Sequence, residues 1–85
     1  MKKIKVVLAD DHALLRSGLA GILSNLGYEV LYECGTGKEL TEWLTKDNVP
    51  DVVLMDINMP EMNGFETTLW LKKNYPLLHA PTKSL

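Results

Sequence analysis

The sequence predicts an α/β protein built on a parallel sheet, and three observations predict it. Two short apolar runs, residues 4–9 and 52–55, are continuous rather than alternating, as in strands buried on both faces. Each ends abruptly in carboxylates, the first at Asp10-Asp11 and the second at Asp56. Between and after these runs the apolar spacing turns helical, giving the series β-α-β-α-β-α, which argues for a parallel sheet with right-handed crossovers. A chain of 85 residues suits one small domain, barely large enough for a single core.

Each element has its own signal. Ile4-Lys5-Val6-Val7-Leu8-Ala9 reads as the first strand. Leu15, Leu19, Ile22 and Leu26, with Leu23 beside them, then recur at the spacing of an amphipathic helix face, and Gly27 is a good helix stop. Residues 28–34 alternate loosely and are rich in β formers, which predicts a second strand. Thr36 and Glu39 have the spacing of a capping box for a helix through Leu40, Trp43 and Leu44. Pro50 biases Val49 away from helix, so 47–50 is a loop before the second aspartate-tipped strand. Residues 58–64 are full of turn formers. Asn63 then caps a third helix with Glu66 three residues on; Phe65 and Leu69 lie one turn apart on it, and it ends near 74–76. The tail, 77–85, is expected to be loose or ordered by a partner rather than a fourth strand, because Pro81 lacks an N–H and fits a central strand poorly.

Bulk properties narrow the function. The net charge of −2 argues against a nucleic-acid surface, for which a basic stripe is expected. One cysteine, Cys34, allows no internal disulfide and points to a reducing compartment. No apolar run approaches a membrane span. The Met1-Lys2-Lys3 start resembles a signal-peptide n-region, but Asp10-Asp11 breaks the apolar stretch too early, so a cytoplasmic location is expected. Cys34 is expected to be a small buried strand residue, Arg16 a surface charge, His12 a solvent-facing rim residue rather than a ligand, and His79 part of the tail surface.

The three aspartates carry the chemistry. Ligands of open α/β sheets bind beyond the carboxyl ends of the strands. If the two aspartate-tipped strands are neighbours, Asp10, Asp11 and Asp56 converge on one site. Two unit charges about 5 Å apart repel by roughly 3 kcal/mol at an effective dielectric of about 20, so such a cluster calls for a proton or a cation. Oxygen ligands suit a hard cation such as Mg²⁺, which keeps positions open for water and phosphate oxygens. Phosphorylation of one aspartate is a natural chemistry for such a site, since carboxylates form covalent aspartyl phosphates.

The combination Val6-Val7-Leu8-Ala9-Asp10-Asp11-His12, Arg16-Ser17-Gly18-Leu19 and Met55-Asp56-Ile57-Asn58-Met59-Pro60-Glu61-Met62-Asn63-Gly64 resembles a response-regulator receiver domain, most closely the subclass joined to a helix-turn-helix DNA-binding domain. The resemblance covers residues 1–76 and implies a three-layer, doubly wound, flavodoxin-like sheet, here with about three β-α pairs and strand order 2-1-3. It implies that Asp56 is the phosphoacceptor, that Asp11 binds Mg²⁺ directly, that Asp10 acts through a metal-bound water, and that the backbone carbonyl of Asn58 also binds the metal. Pro60 and Gly64 match the loop that shapes the rim, and a histidine kinase is the implied phosphate donor. The chain is expected to be a modified acceptor and not an enzyme.

Two family features have no match. The hydroxyl residue closing the fourth strand is absent or displaced to Thr82, and the lysine closing the fifth is absent, Lys83 being too close to Thr82 to replace it. A C-terminally truncated receiver is therefore expected. Its third strand would be a bare sheet edge and its helices would expose apolar surface, so self-association through either is predicted. The alternative to phosphotransfer is a degenerate receiver acting as an association module. A phosphohydrolase ranks lower, because Asn58 stands where such an enzyme places an acidic proton donor; an inactive fragment is the remaining possibility.

Overall fold

The computed structural model describes residues 2–83; Met1, Ser84 and Leu85, the last two belonging to the predicted tail, lie outside the described residues. The elements follow the order β1 (Lys5–Ala9), α1 (Ala13–Asn25), β2 (Glu29–Cys34), α2 (Gly37–Trp43), β3 (Val52–Asp56), α3 (Gly64–Asn74) and β4 (Thr82–Lys83). The sheet order is β2-β1-β3-β4, with every pairing parallel. The predicted order 2-1-3 is present, and a short fourth strand extends it.

This order fixes where the helices lie. A crossover from β1 to β2 runs one way across the sheet, and the crossovers β2 to β3 and β3 to β4 run the other way. Right-handed connections therefore put α1 on one face and α2 with α3 on the other. The main core forms on the two-helix face, where Val7 and Ala9 of β1 and Val53 and Met55 of β3 pack with Leu40 of α2 and Leu71 of α3. Val6 and Leu8, alternating with these along β1, are also buried but lie outside that cluster.

The helix caps follow the predicted chemistry in part. Asn63 and Glu66 form a complete capping box on α3, the Asn63 side chain accepting from Glu66 N at 2.9 Å and Glu66 Oε1 accepting from Asn63 N at 3.1 Å. On α2 the Thr36 hydroxyl caps Glu39 N at 3.0 Å, but the Glu39 carboxylate reaches past Thr36 N to accept from Gly35 N at 3.2 Å. Two further N–H groups of α2 are satisfied from outside: Gly37 N donates to Met62 O and Lys38 N to Glu61 O. The loop after β3 is thereby fastened to the start of α2. Glu61 and Met62 adopt φ of 49° and 87° to make the turn.

The exposed apolar helix surface that was expected is found on α1, which has no buried residue and whose Ile22 and Leu26 are 57% and 69% exposed. The spacing is that of a core-facing stripe, but among the described residues no second helix stands beside α1 on its side of the sheet. The tail differs from what was expected. Val53 N donates to His79 O at 2.9 Å and Met55 N to Pro81 O at 3.1 Å, so residues 79–83 run along the β3 edge that was expected to be bare. Pro81 accepts but has no N–H to give, and the ladder is accordingly broken into a lone Val52–His79 bridge and a two-residue strand. Leu78 and Ala80 pack against the core from this segment.

Cys34 is buried as predicted, its thiol donating to Leu8 O at 3.7 Å, and burial pushes its pKa up to about 12. Alkylation is therefore expected to be negligible in the folded protein and complete on unfolding, read by mass after a short iodoacetamide pulse. Rapid labelling under native conditions contradicts this burial.

Candidate metal centre

The chain ends of β1 and β3 build the site. The two strands are direct neighbours with Ala9 opposite Met55, so the residues that follow, Asp10 and Asp56, emerge side by side at the carboxyl end of the sheet. Both residues are 1% exposed. Asp11 sits at the rim, its side chain 36% exposed. Asp10, Asp11, His12 and Asp56 each offer a ligand atom, and these atoms all lie within 4.8 Å of one another.

Hydrogen bonds orient the group. Asp10 Oδ1 accepts from His12 N at 2.8 Å, a turn that folds the chain back over the strand end before α1 starts. Asp56 Oδ1 accepts from Asn58 N at 3.1 Å in a matching turn. Asp56 Oδ2 is buried and accepts no hydrogen bond. A buried carboxylate oxygen in that condition is costly unless something positive meets it. That oxygen, grouped with the other two carboxylates, fits a cation, and the all-oxygen set fits a hard one. Asn58 is held at the rim through its backbone N–H.

Two residues make contacts that the sequence did not announce. His12 is half-exposed, but its ring is turned inward: Nδ1 lies 3.0 Å from Asp10 Oδ1, 3.1 Å from Asp11 Oδ1 and 3.4 Å from Asp56 Oδ2. Its ring nitrogen thus stands among the three carboxylates, although the residue lies at the exposed rim as expected. Its adjacency to Asp10-Asp11 was the available signal, because an aspartate turn brings the residue two positions on back over the carboxylate. Arg16 is likewise more than a surface charge. Its Nη1 donates to the backbone carbonyl of Asp10 at 2.7 Å and its Nε to Glu33 Oε1 at 3.4 Å, tying the end of β1 to β2 through the first turn of α1.

The hydrogen bond to Asp10, then the charge of Asp11, raises the His12 pKa above its usual 6.5. A group with a raised folded pKa adds stability that is full below the unfolded value and is lost as pH rises through the folded one. In EDTA, His12→Ala is therefore expected to lower the melting temperature more at about pH 6 than at about pH 9. A deficit that is the same at both values contradicts the ion pairs.

Two glycines let the backbone close on the site. A Cβ at Gly64 would stand 2.6 Å from the carbonyl oxygen of Asp56, and one at Gly37 would meet Thr67 Oγ1 and the Met62 carbonyl. Thr67 is fully buried and donates to Asn63 O at 2.7 Å, closing the same loop from α3.

An acidic cluster at the carboxyl end of a doubly wound parallel sheet, followed by a tightly tethered loop, defines a receiver-type fold. Residues 6–81 match the response regulator receiver domain, and the chain belongs to that family. The match extends past residue 76 and takes in most of the tail segment along β3. The chain is 45% identical over 75 residues to the transcriptional regulatory protein DegU of Brevibacillus brevis, which covers 87% of this chain and 31% of DegU. It is 42% identical over 72 residues to the chemotaxis protein CheY of Thermotoga maritima, covering 85% of this chain and 59% of CheY. Among solved structures, the signal receiver domain of the response regulator NarL from Mycobacterium tuberculosis superposes with a TM-score of 0.89 at 30% identity, over 99% of this chain and 68% of that one. The chain thus spans less than two thirds of the length of these two curated relatives. Among the described residues no helix is long and apolar enough to cross a membrane.

Proposed function

We propose that this receiver domain takes part in phosphorelay signalling by binding Mg²⁺ at Asp10, Asp11, Asp56 and the Asn58 backbone carbonyl, and by accepting a phosphoryl group on Asp56 from a histidine kinase. The observation that carries the proposal is Asp56 Oδ2, buried, without a hydrogen bond and beside two further carboxylates. When bound, Mg²⁺ supplies charge neutralisation among the carboxylates and on the phosphoryl oxygens. Asp56 is the nucleophile: a carboxylate oxygen forms a bond to phosphorus as the phosphorus–nitrogen bond of a phosphohistidine breaks, its electron pair leaving on the imidazole. The Asn58 N–H holds the other carboxylate oxygen still during attack. Asp10, fixed through its backbone by Arg16 and Cys34, keeps the acidic pocket in register with Asp56. The chain is modified once and turns over no external substrate, and the same role implies a cytoplasmic location. Incubation with Mg²⁺ and a small acyl phosphate tests this: intact mass is expected to show one phosphoryl adduct, none in EDTA. Wild-type protein that stays unmodified in Mg²⁺ contradicts the proposal.

A second role has its own support. Leu14, Leu15, Ile22 and Leu26, on or next to the helix that covers one face of the sheet, are each exposed. Self-association through that face, rather than through the β3 edge that residues 79–83 line, follows from it. Sedimentation at micromolar concentration is expected to show a dimer that Ile22→Glu dissociates; a wild-type monomer contradicts the association role.

A further inference from the structure

We propose that His12 is itself a metal ligand, and that its imidazole gives this centre a preference for first-row transition ions such as Co²⁺ over Mg²⁺. The inference rests on the metal site proposed above and concerns its selectivity. The His12 Nδ1 distances to the three carboxylates run from 3.0 to 3.4 Å. Ligands bound at about 2.1 Å at right angles around an octahedral ion stand about 3.0 Å apart, so Nδ1 and these oxygens are spaced as edges of one coordination sphere. The independent sign of a ligand is Asp56 Oδ2, 1% exposed as a residue, bonded to no donor and facing the same nitrogen.

The ring already faces the cluster, with Nδ1 3.0 Å from Asp10 Oδ1. His12 is the N-cap residue of α1, yet its side chain makes no capping bond, and the turn that places it uses the backbone N–H. A neutral imidazole with its proton on Nε2 presents the Nδ1 lone pair to the cluster without moving the ring. Three carboxylates alone favour a hard ion, whereas one nitrogen among them adds a donor that Co²⁺, Ni²⁺ and Zn²⁺ bind well and Mg²⁺ binds poorly. The three carboxylates complete the donor set around that nitrogen.

The test uses calorimetric titration of the protein with Mg²⁺ and with Co²⁺, in a His79→Ala background so that the other histidine cannot contribute. Co²⁺ is expected to bind at least roughly tenfold more tightly than Mg²⁺. His12→Ala is expected to remove most of that preference by weakening Co²⁺ far more than Mg²⁺. His12→Gln, which keeps the turn, should match it. In Cu²⁺-loaded protein, spin-echo modulation from a remote imidazole nitrogen is expected and is lost in His12→Ala. If both metals bind and the variants leave their ratio unchanged, or no nitrogen modulation is seen, His12 is not a ligand although the carboxylate site stands. If neither metal binds the wild type, the carboxylate site and the role of His12 fall together.

Discussion

Asp56→Asn is expected to abolish the phosphoryl adduct and, in metal-free buffer, to make the protein more stable. Asp10 and Asp56 are both 1% exposed and share their cluster with Asp11. At about 4–5 Å and an effective dielectric of about 20, each carboxylate pair repels by roughly 3–4 kcal/mol, and His12 offsets only part of this. Asparagine keeps an oxygen for the Asn58 N–H and replaces the oxygen that accepts nothing with an amide donor facing carboxylates. A net gain of about 1–3 kcal/mol is expected, in the range found when buried charges are removed. For a domain of this size that raises the melting temperature by at least about 4–8 °C. Saturating Mg²⁺ should reverse the order, because only the wild type keeps the full ligand set. Paired thermal melts in EDTA and in Mg²⁺ measure this; a variant less stable than wild type in EDTA contradicts the repulsion.

Gly64→Ala is expected to cost about 1–3 kcal/mol, as overpacking against rigid neighbours does. The new methyl would lie 2.6 Å from the Asp56 carbonyl oxygen and 2.7 Å from the Ile57 Cα, both backbone atoms that move only if the end of β3 moves. The displaced strand end carries Asp56, so Mg²⁺ affinity should fall with stability. Gly18→Ala is the control. It sits within α1 with nothing inside 4 Å of the added Cβ, and is expected to stabilise by up to about 1 kcal/mol. Chemical denaturation of both variants checks the pair of signs; equal effects would show that the close approach at Gly64 is not real.

Much of the fold was legible because its signals are local. Continuous apolar runs ending in aspartate marked β1 and β3, and Asn63 with Glu66 marked the start of α3 through a cap that closes within four residues. The convergence of Asp10 with Asp56 needed only that the two strands be neighbours. What escaped was decided by distant partners. The tail was misjudged because Pro81 argues against a strand locally, whereas the unpaired N–H groups of Val53 and Met55 need only its carbonyls. In one dimension His12 read as a solvent-facing rim residue and Arg16 as a surface charge. Their roles depend on a turn at Asp10 and on β2 lying within reach of the first turn of α1.

Backbone amide spectra of isotopically labelled protein, titrated with Mg²⁺, test most directly whether the ends of β1 and β3 make one cation pocket. The amides of His12 and Asn58, each bonded to a carboxylate of the cluster, are expected to shift together with a single affinity and to stay still in Asp10→Asn/Asp56→Asn protein. Shifts confined to one strand end, or scattered over the surface while these two amides stay fixed, would contradict it.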